Sequence, residues 1–169
     1  LWKHMLDAAA VSLALNPPVI SFGWTPEVTA FLVGLHDVGK ADSCFQHQKP
    51  PDFSSELSNA GFAPTGDARC RHERISARFI KKKLVSDGLD EFTADAIART
   101  VVVHHGYWNE AARDVGPEYT KAQDQLCWML QQVLGVQAFP IQRVPNLSAF
   151  GMRLAGHAVL SDWIASNEE

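Results

Sequence analysis

The amino-acid sequence predicts an all-α fold, a bundle of about six or seven helices. Three observations support this prediction. Apolar residues recur at helical spacing along most of the 169 residues, the segments that carry them are bounded by residues that start or stop helices, and no stretch alternates apolar and polar residues as a strand does. The length and the 46% share of apolar residues suit one domain with its own core.

The first two predicted helices carry dense apolar faces. One covers residues 4–15 and stops at Asn16-Pro17-Pro18, because proline cannot continue a helix. The other begins at Thr25-Pro26, with threonine as the N-cap and proline at the first helical position. Its apolar face ends at Leu35, so we expect the next residue, His36, to adjoin the core.

Two weaker segments follow. Residues 42–48 have the spacing for one or two helical turns. Residues 49–69 are rich in Pro, Ser, Gly and Asp and show little periodicity. We therefore expect a loop over 49–69, and a loop of that length is usually functional or disordered.

Four further helices are predicted beyond this loop. They cover residues 71–86, a segment capped by Asp90 that finishes with His104-His105-Gly106, residues 118–134, and a last helix capped by Asn146. On the apolar face of the last helix we expect Trp163.

An unusual group of polar residues lies at the end of an apolar helix, in the stretch Leu35-His36-Asp37-Val38-Gly39-Lys40. It has two interpretations. It could be an ordinary helix end, with Gly39 in the left-handed conformation as the stop and Lys40 facing the helix dipole. It could instead be the centre of a functional site.

Other helices also carry residues of the kinds that bind metal ions. Five histidines and two carboxylates are placed on helices or at their ends: His4, His36, Asp37, His72, His104, His105 and Asp162. Each alone is more often structural, but metal sites inside helical bundles are assembled from such facing positions. Nitrogen and oxygen ligands without thiolate suit two divalent transition-metal ions, with Mn, Fe, Co or Ni expected ahead of Mg or Zn.

The predicted reaction is phosphoester hydrolysis. Asp37, next to a ligating histidine, is placed to bridge two ions, and ions about 3.5 to 4 Å apart would generate a hydroxide at neutral pH and clamp a phosphoryl centre. We predict Asp37 and Lys40 as the catalytic residues. Lys40 either neutralises charge on a phosphate oxygen or simply caps the helix.

Composition excludes several classes of protein. A net charge of −4 argues against a surface that binds nucleic acid without help from another domain or from metal ions. No apolar run is long enough to span a bilayer, so no membrane partner is expected. The 3 cysteines show no Cys-x-x-Cys spacing, so neither a disulfide framework nor a thiolate zinc site is indicated. We expect a cytoplasmic protein.

The order of these motifs resembles the HD superfamily of metal-dependent phosphohydrolases and, within it, the HD nuclease domain of the CRISPR-associated nuclease-helicase of type I systems. The resemblance covers nearly the whole chain. It is carried by the following stretches: Trp2-x-His4-x-x-Asp7-x-Ala9, Leu35 to Lys40 followed by Phe45-Gln46, Arg71-His72-Glu73, His104-His105-Gly106 and Asp162-Trp163-Ile164-Ala165-Ser166.

The resemblance implies an HD-domain helical bundle that cuts single-stranded DNA opened by a guide-RNA surveillance complex. It assigns one ion to His4, His36, Asp37 and Asp162, and the other to Asp37, His72, His104 and His105. Asp37 would be the bridge, Lys40 would lie beside the scissile phosphate, and Ser166 would face the site.

The same resemblance implies a superfamily 2 helicase as partner. The chain has no Walker-type Gly-Lys-Ser/Thr motif. We therefore expect residues 1–169 to form a single HD-type nuclease domain, either excised from a helicase-containing chain or partnered with a separate helicase subunit.

Two rival functions remain at this point. HD-type phosphodiesterases that act on cyclic dinucleotides or nucleotides would keep the metals and change the substrate, although the chain has no Gly-Tyr-Pro after its HD motif. A non-catalytic helical binding module would use the histidines only structurally. Metal content and the effect of replacing Asp37 distinguish these functions from the nuclease.

Overall fold

The fold of the chain is known from a computed structural model, which describes residues 1–15, 24–48, 51–64, 71–103, 115–139, 144 and 146–167. Within these ranges the structure has eight α-helices and one 3-10 segment, and no strand. The predicted all-α class is confirmed.

The helices follow the predicted order with small shifts at their ends. They are α1 (Trp2–Ala14), α2 (Pro26–Gly34), α3 (Ser43–Gln46), α4 (Pro51–Asn59), α5 (His72–Ser86), α6 (Glu91–Val101), α7 (Pro117–Leu134) and α8 (Leu147–Ser166), with the 3-10 segment (Leu35–Lys40) between α2 and α3. The caps expected from the sequence are present. Thr25 and Asp90 accept hydrogen bonds from Val28 N and Thr93 N respectively, and Gly135 ends α7 in the left-handed conformation.

Helix α2 is the centre of the bundle. Every residue from Val28 to Gly34 is buried, and α1 and α7 pack against this helix. Helix α8 packs on α1 and α6, and α5 packs on α6 and on the 3-10 segment. Aromatic rings fill the core around α2, with the centroids of Trp24 and Phe150 4.9 Å apart. A helix buried on all sides holds the residues that follow it in the interior.

The 3-10 segment replaces the ordinary helix end that the sequence suggested. A 3-10 helix has three residues per turn, so side chains three positions apart lie over one another. Asp37 and Lys40 are therefore aligned on one side, and His36 and Gly39 on another. The prediction of a left-handed Gly39 is wrong, because the positive-φ glycines of the described residues are Gly61, Gly88 and Gly135.

Two other expectations are corrected. The loop expected over 49–69 contains helix α4, whose described side chains are exposed or only partly buried. Phe53 and Leu57 are its only apolar side chains, too few for the repeated pattern by which a helix is found in a sequence. Trp163 is 68% exposed rather than part of the core. Helix α8 carries apolar residues on several of its sides. The side that packs inward carries Phe150, Leu154 and Ala158 rather than Trp163.

The cysteines behave differently from one another. Cys127 is a free thiol buried in the core, and burial raises its pKa to about 12. Cys44 is disulfide-bonded, which contradicts the expectation from the sequence that no disulfide forms. Among the described residues, no helix is both long and apolar enough to cross a bilayer.

Candidate metal centre

His36 and Asp37 are the innermost polar residues of the site, and each side chain is only 1% exposed. The Nδ1 atom of His36 lies 2.7 Å from the carbonyl oxygen of Val33, one helical turn earlier. A carbonyl oxygen can only accept a hydrogen bond, so Nδ1 donates and carries the proton. The Nε2 atom of a neutral His36 then presents its lone pair to the rest of the site, as a metal-ligating histidine must.

Helices from the two ends of the chain complete this group. His4 comes from α1 and Asp162 from α8, and His4 Nε2 lies 3.1 Å from Asp162 Oδ1 and 3.3 Å from His36 Nε2. His36 Nε2 lies 3.2 Å from Asp162 Oδ1. The packing of α1 and α8 against the central helix thus brings together residues that the sequence separates widely.

Pairs of donor atoms in this group have the spacing expected for ligands of one metal ion. Separations from His4 and His36 to Asp37 Oδ2 and Asp162 Oδ1 run from 3.1 to 3.5 Å. Donors about 2.1 Å from a transition-metal ion are roughly 3.0 to 3.4 Å from their neighbours in octahedral or tetrahedral geometry. His4, His36 and Asp37 together meet the geometric requirement for a metal site, and Asp162 is not part of that set. The residues present therefore fit an ion.

Asp37 faces a second group with its other oxygen. His72, the first residue of α5, places Nε2 3.1 Å from Asp37 Oδ1. The two oxygens of one buried carboxylate thus point to histidines on opposite sides. His104 and His105, predicted as ligands alongside His72, lie outside the described residues.

The pKa values of His4 and Asp37 are shifted because these side chains lie so close to one another and to Asp162 and His72. Hydrogen bonds to Asp162 and then to Asp37 raise the pKa of His4 from 6.5 to about 9, against the opposing effect of burial. Burial alone would raise the pKa of Asp37, but hydrogen bonds from His4 and His72 and electrostatic interactions with His36 and Lys40 hold it well below its usual range. Without a metal ion the group thus keeps Asp37 ionised and a proton on His4. An ion held by His4 would require loss of that proton, because a ligating imidazole must be neutral.

Lys40 contacts the same carboxylate. Its Nζ donates to Asp37 Oδ2, as the three-residue turn of the 3-10 segment requires, and lies 5.6 Å from the centroid of the Phe45 ring. Its side chain is 26% exposed. The ammonium group therefore stands between the buried carboxylate and solvent.

Ser166 lies one turn after Asp162 on α8 and donates from Oγ to Asp162 Oδ1 at 3.2 Å. This bond can hold Asp162 in the orientation that faces His4 and His36. The resemblance implied that Ser166 faces the site, and the structure places it next to a proposed ligand.

Sequence reasoning missed the contacts that hold the 3-10 segment against α5. Gly39 N donates to Ser76 Oγ at 2.8 Å, and a Cβ at position 39 would overlap the carbonyl oxygen of His72 and come within 2.6 Å of Ser76 N. Glu73 is also buried, with its Oε2 3.8 Å from His72 Nδ1. A serine in the middle of a helix gives no signal of such a contact. Glu73 could have been noticed as a carboxylate directly after a candidate ligand.

Comparison with known proteins agrees with this geometry. The family model described as "Cas3, HD domain" matches residues 1–169. The chain is 30% identical to the CRISPR-associated endonuclease/helicase Cas3 of Thermus thermophilus, over 99% of this chain and 21% of that protein.

Solved structures give the same result. One described as a CRISPR-associated protein matches with a TM-score of 0.82 and 31% identity, over 99% of this chain and 21% of that one. The Thermus thermophilus Cas3 HD domain, determined in the presence of Ni²⁺, matches with a TM-score of 0.70 and 27% identity, over 98% of this chain and 70% of that one.

The chain thus spans about a fifth of the length of the curated relative that it matches. The match of the family model is nevertheless complete, from the first residue to the last. The HD motif, the helical fold and the whole-length match together show that the chain belongs to the Cas3 HD domain family.

Proposed function

We propose that this chain is a metal-dependent nuclease that hydrolyses phosphodiester bonds of single-stranded DNA in type I CRISPR interference. The observation that carries the proposal is the position of Asp37. Its Oδ2 atom lies 3.3 Å from His4 Nε2, and its Oδ1 atom lies 3.1 Å from His72 Nε2. A buried carboxylate shared between two sets of histidines is what a dinuclear hydrolase needs as its bridge.

The ligands divide into two sets on this proposal. His4, His36, Asp37 and Asp162 would hold one ion. Asp37 and His72 would hold the other, together with His104 and His105, which the sequence and the family resemblance add.

Imidazole and carboxylate donors suit divalent transition-metal ions, and we propose Mn, Fe, Co or Ni ahead of Mg or Zn. The Ni²⁺ present with the Thermus thermophilus relative supports a transition metal of this kind. When bound, a pair of divalent ions supplies Lewis-acid activation of the phosphodiester and of the attacking water.

The side chains themselves define the direction from which a substrate arrives. His36 and Asp37 are 1% exposed, whereas His4 is 24% and Lys40 26% exposed. The site is therefore open on the side of His4 and Lys40 and closed behind His36. Lys40 can turn from Asp37 to donate a hydrogen bond to a non-bridging phosphate oxygen, where a fixed positive charge stabilises the charge that develops.

The proposal includes partners. The relative from Thermus thermophilus is described as both an endonuclease and a helicase, so we propose a superfamily 2 helicase domain or subunit that delivers the strand. A guide-RNA surveillance complex would expose that strand in the cytoplasm. Residues 1–169 would be one HD-type nuclease domain of this machinery. A net charge of −4 suits a domain to which DNA is fed.

The proposal is tested by cleavage of circular single-stranded DNA. Protein loaded with Mn²⁺ or Ni²⁺ should degrade the circle, and protein stripped with a chelator should leave it intact. Elemental analysis should find close to two ions per loaded chain. Hydrolysis of a cyclic dinucleotide by loaded protein that leaves the circle intact would instead establish the phosphodiesterase alternative. Loaded protein that hydrolyses neither substrate would indicate a non-catalytic module.

A further inference from the structure

Phe45 contacts two residues of the candidate metal centre without belonging to either proposed set of ligands. Its ring meets the imidazole of His72 edge to face, with the ring centroids 5.3 Å apart and the planes inclined by 69°. The same ring also contacts a cation, because Lys40 Nζ lies 5.6 Å from its centroid. Both distances are within the ranges at which aromatic rings attract other rings and cations. One aromatic side chain therefore touches both a proposed ligand and the proposed phosphate contact.

The short helix α3, which carries Phe45, is held at both of its ends. The buried side chain of Asp42 accepts a hydrogen bond from Cys44 N at 3.0 Å and caps the first turn. Gln46 Nε2 donates to the carbonyl oxygen of Lys40 at 2.6 Å, which joins the last turn of α3 to the end of the 3-10 segment. A helix this short is not stable by itself. These contacts therefore determine where the Phe45 ring lies.

Helix α7 supports the same connection between the 3-10 segment and α3. Gln123 is buried, and its Nε2 donates to the carbonyl oxygen of Ala41 at 2.8 Å. The carbonyl oxygens of Lys40 and Ala41 thus each accept a hydrogen bond from a glutamine amide, one from α3 and the other from α7. Breaking a buried bond of this kind leaves polar groups unpaired, which is costly. The backbone between the HD motif and Phe45 is therefore fixed.

The imidazole of His72 depends on its neighbours for its orientation. His72 is the first residue of α5, and its Nε2 lies 3.1 Å from Asp37 Oδ1. Glu73 Oε2 lies 3.8 Å from His72 Nδ1, which is beyond hydrogen-bonding distance. The contact with the Phe45 ring therefore limits how far the imidazole can turn. A ligand that is already oriented loses less freedom when it binds an ion.

Phe45 also gives Lys40 a second partner. Lys40 Nζ donates to Asp37 Oδ2, and the same oxygen lies 3.3 Å from His4 Nε2. An ion held by His4 and Asp37 would compete with Lys40 for this oxygen. An aromatic ring attracts an ammonium group and is no metal ligand, so Phe45 can keep Lys40 at the open side of the site when that oxygen is occupied.

We infer that Phe45 is a positioning residue, which orients the His72 imidazole for an ion and keeps the Lys40 ammonium beside the phosphate. This inference rests on the proposed function, because it concerns a ligand and a cation of that same site. Leucine at position 45 would keep an apolar side chain and lose the aromatic ring, whereas tyrosine would keep the ring. The two substitutions therefore distinguish an aromatic contact from the filling of space.

Calorimetric titration of metal-stripped protein with Mn²⁺ tests the contact with His72. Phe45→Leu should weaken binding of the ion assigned to His72 about three- to tenfold, the cost of ordering one side chain that is otherwise free. The other ion should bind as before, whereas a general loss of structure would weaken both. Phe45→Tyr should bind both ions as the wild type does.

Two further proteins complete the metal titration. Asp162→Ala identifies the affected ion, because this protein should keep only the ion assigned to His72. Phe92→Leu is the matched control for the change from phenylalanine to leucine. Phe92 lies on α6 and is 78% exposed, so this variant should bind both ions with wild-type affinity.

Turnover of circular single-stranded DNA at saturating Mn²⁺ tests the contact with Lys40, since both ions are then bound in every variant. Phe45→Leu should lower turnover about two- to fivefold, which corresponds to the usual strength of a cation–π contact, and Phe45→Tyr should retain it. In Lys40→Gln protein the change to leucine should have no further effect, because the ring has no cation to hold.

Equal Mn²⁺ affinities of the wild type and Phe45→Leu would overturn the inference, and so would equal weakening of both ions. Additive losses of turnover from Phe45→Leu and Lys40→Gln would overturn the part that concerns Lys40. Wild-type protein that binds two ions and leaves the DNA intact would instead contradict the proposed function, and the metal titration would still decide whether Phe45 orients His72.

Discussion

Gly39 lies against the backbone of His72, so closely that any side chain at position 39 would overlap the His72 carbonyl oxygen. This contact joins the 3-10 segment, which carries Asp37, to the first residue of α5, which carries a candidate ligand. The hydrogen bond from Gly39 N to Ser76 Oγ at 2.8 Å reinforces it. The distance between Asp37 and His72 is therefore set by the absence of a side chain two residues away.

Gly39→Ala should destabilise the protein by about 1 to 3 kcal/mol, because overpacking forces backbone shifts, and it should reduce the binding of the ion assigned to His72. Urea unfolding and elemental analysis measure the two effects. Gly156→Ala in α8 is the matched control. A Cβ at Gly156 meets no atom within 4 Å, so this change should be neutral or stabilise the helix by about 0.5 to 1 kcal/mol. Equal effects of the two substitutions would contradict the role given to Gly39.

Asp37→Ala and Asp162→Ala should differ in metal content. Asp37 serves both proposed ions, so its removal should leave no stoichiometric metal. Among the proposed ligands that the structure describes, Asp162 contacts His4 and His36, so its removal should cost one ion and spare the other. Elemental analysis after dialysis distinguishes the two results, with Asp52→Ala on the exposed face of α4 as a control that keeps both ions. An Asp37→Ala protein that retains one tightly bound ion would rule out a shared bridge.

Lys40→Gln should separate catalysis from metal binding. Lys40 is no ligand while protonated, so the variant should keep its metal content. Turnover of single-stranded DNA should fall about 100-fold, which is the usual cost of removing one group that stabilises transition-state charge. Lys121→Gln, on the exposed face of α7, should cleave at the wild-type rate. Loss of metal from Lys40→Gln would show that Lys40 acts by holding Asp37 in place.

The Ser12–His157 pair should make stability depend on pH. The two side chains meet between α1 and α8, with Ser12 Oγ 2.8 Å from His157 Nε2, and burial lowers the pKa of His157 below its ordinary value of 6.5, while the bond to Ser12 opposes this in part. The unfolded chain therefore binds a proton more readily than the folded chain. Stability is complete above about pH 6.5 and is lost as pH falls through the lower folded-state pKa.

His157→Gln removes this group. The free energy of unfolding measured in urea should fall more between about pH 7 and pH 5 for the wild type than for His157→Gln, with a difference in slope of at most about 1.4 kcal/mol per pH unit. Parallel curves for the two proteins would show that His157 does not titrate in this range.

The sequence by itself determined the helical class, the principal helices and their caps, and the candidate metal-binding residues. These are local properties. A Thr25-Pro26 start or the apolar spacing of α2 expresses the preferences of neighbouring residues, which do not depend on the rest of the fold. The HD motif could likewise be recognised, because its residues are adjacent in the chain.

Tertiary packing decided the rest. His36 and Asp162 are 126 positions apart. The spacing of apolar residues along the sequence does not indicate that α8 will bring them within hydrogen-bonding distance. Helix α4 could not be predicted because it has too few apolar residues to form a recognisable pattern. The exposure of Trp163 could not be predicted because α8 is apolar on several sides. Gly39 is the clearest example of what the sequence cannot decide. Glycine is favoured both at a left-handed helix stop and where another backbone comes close, and only the packing of helix α5 shows that the second reason applies.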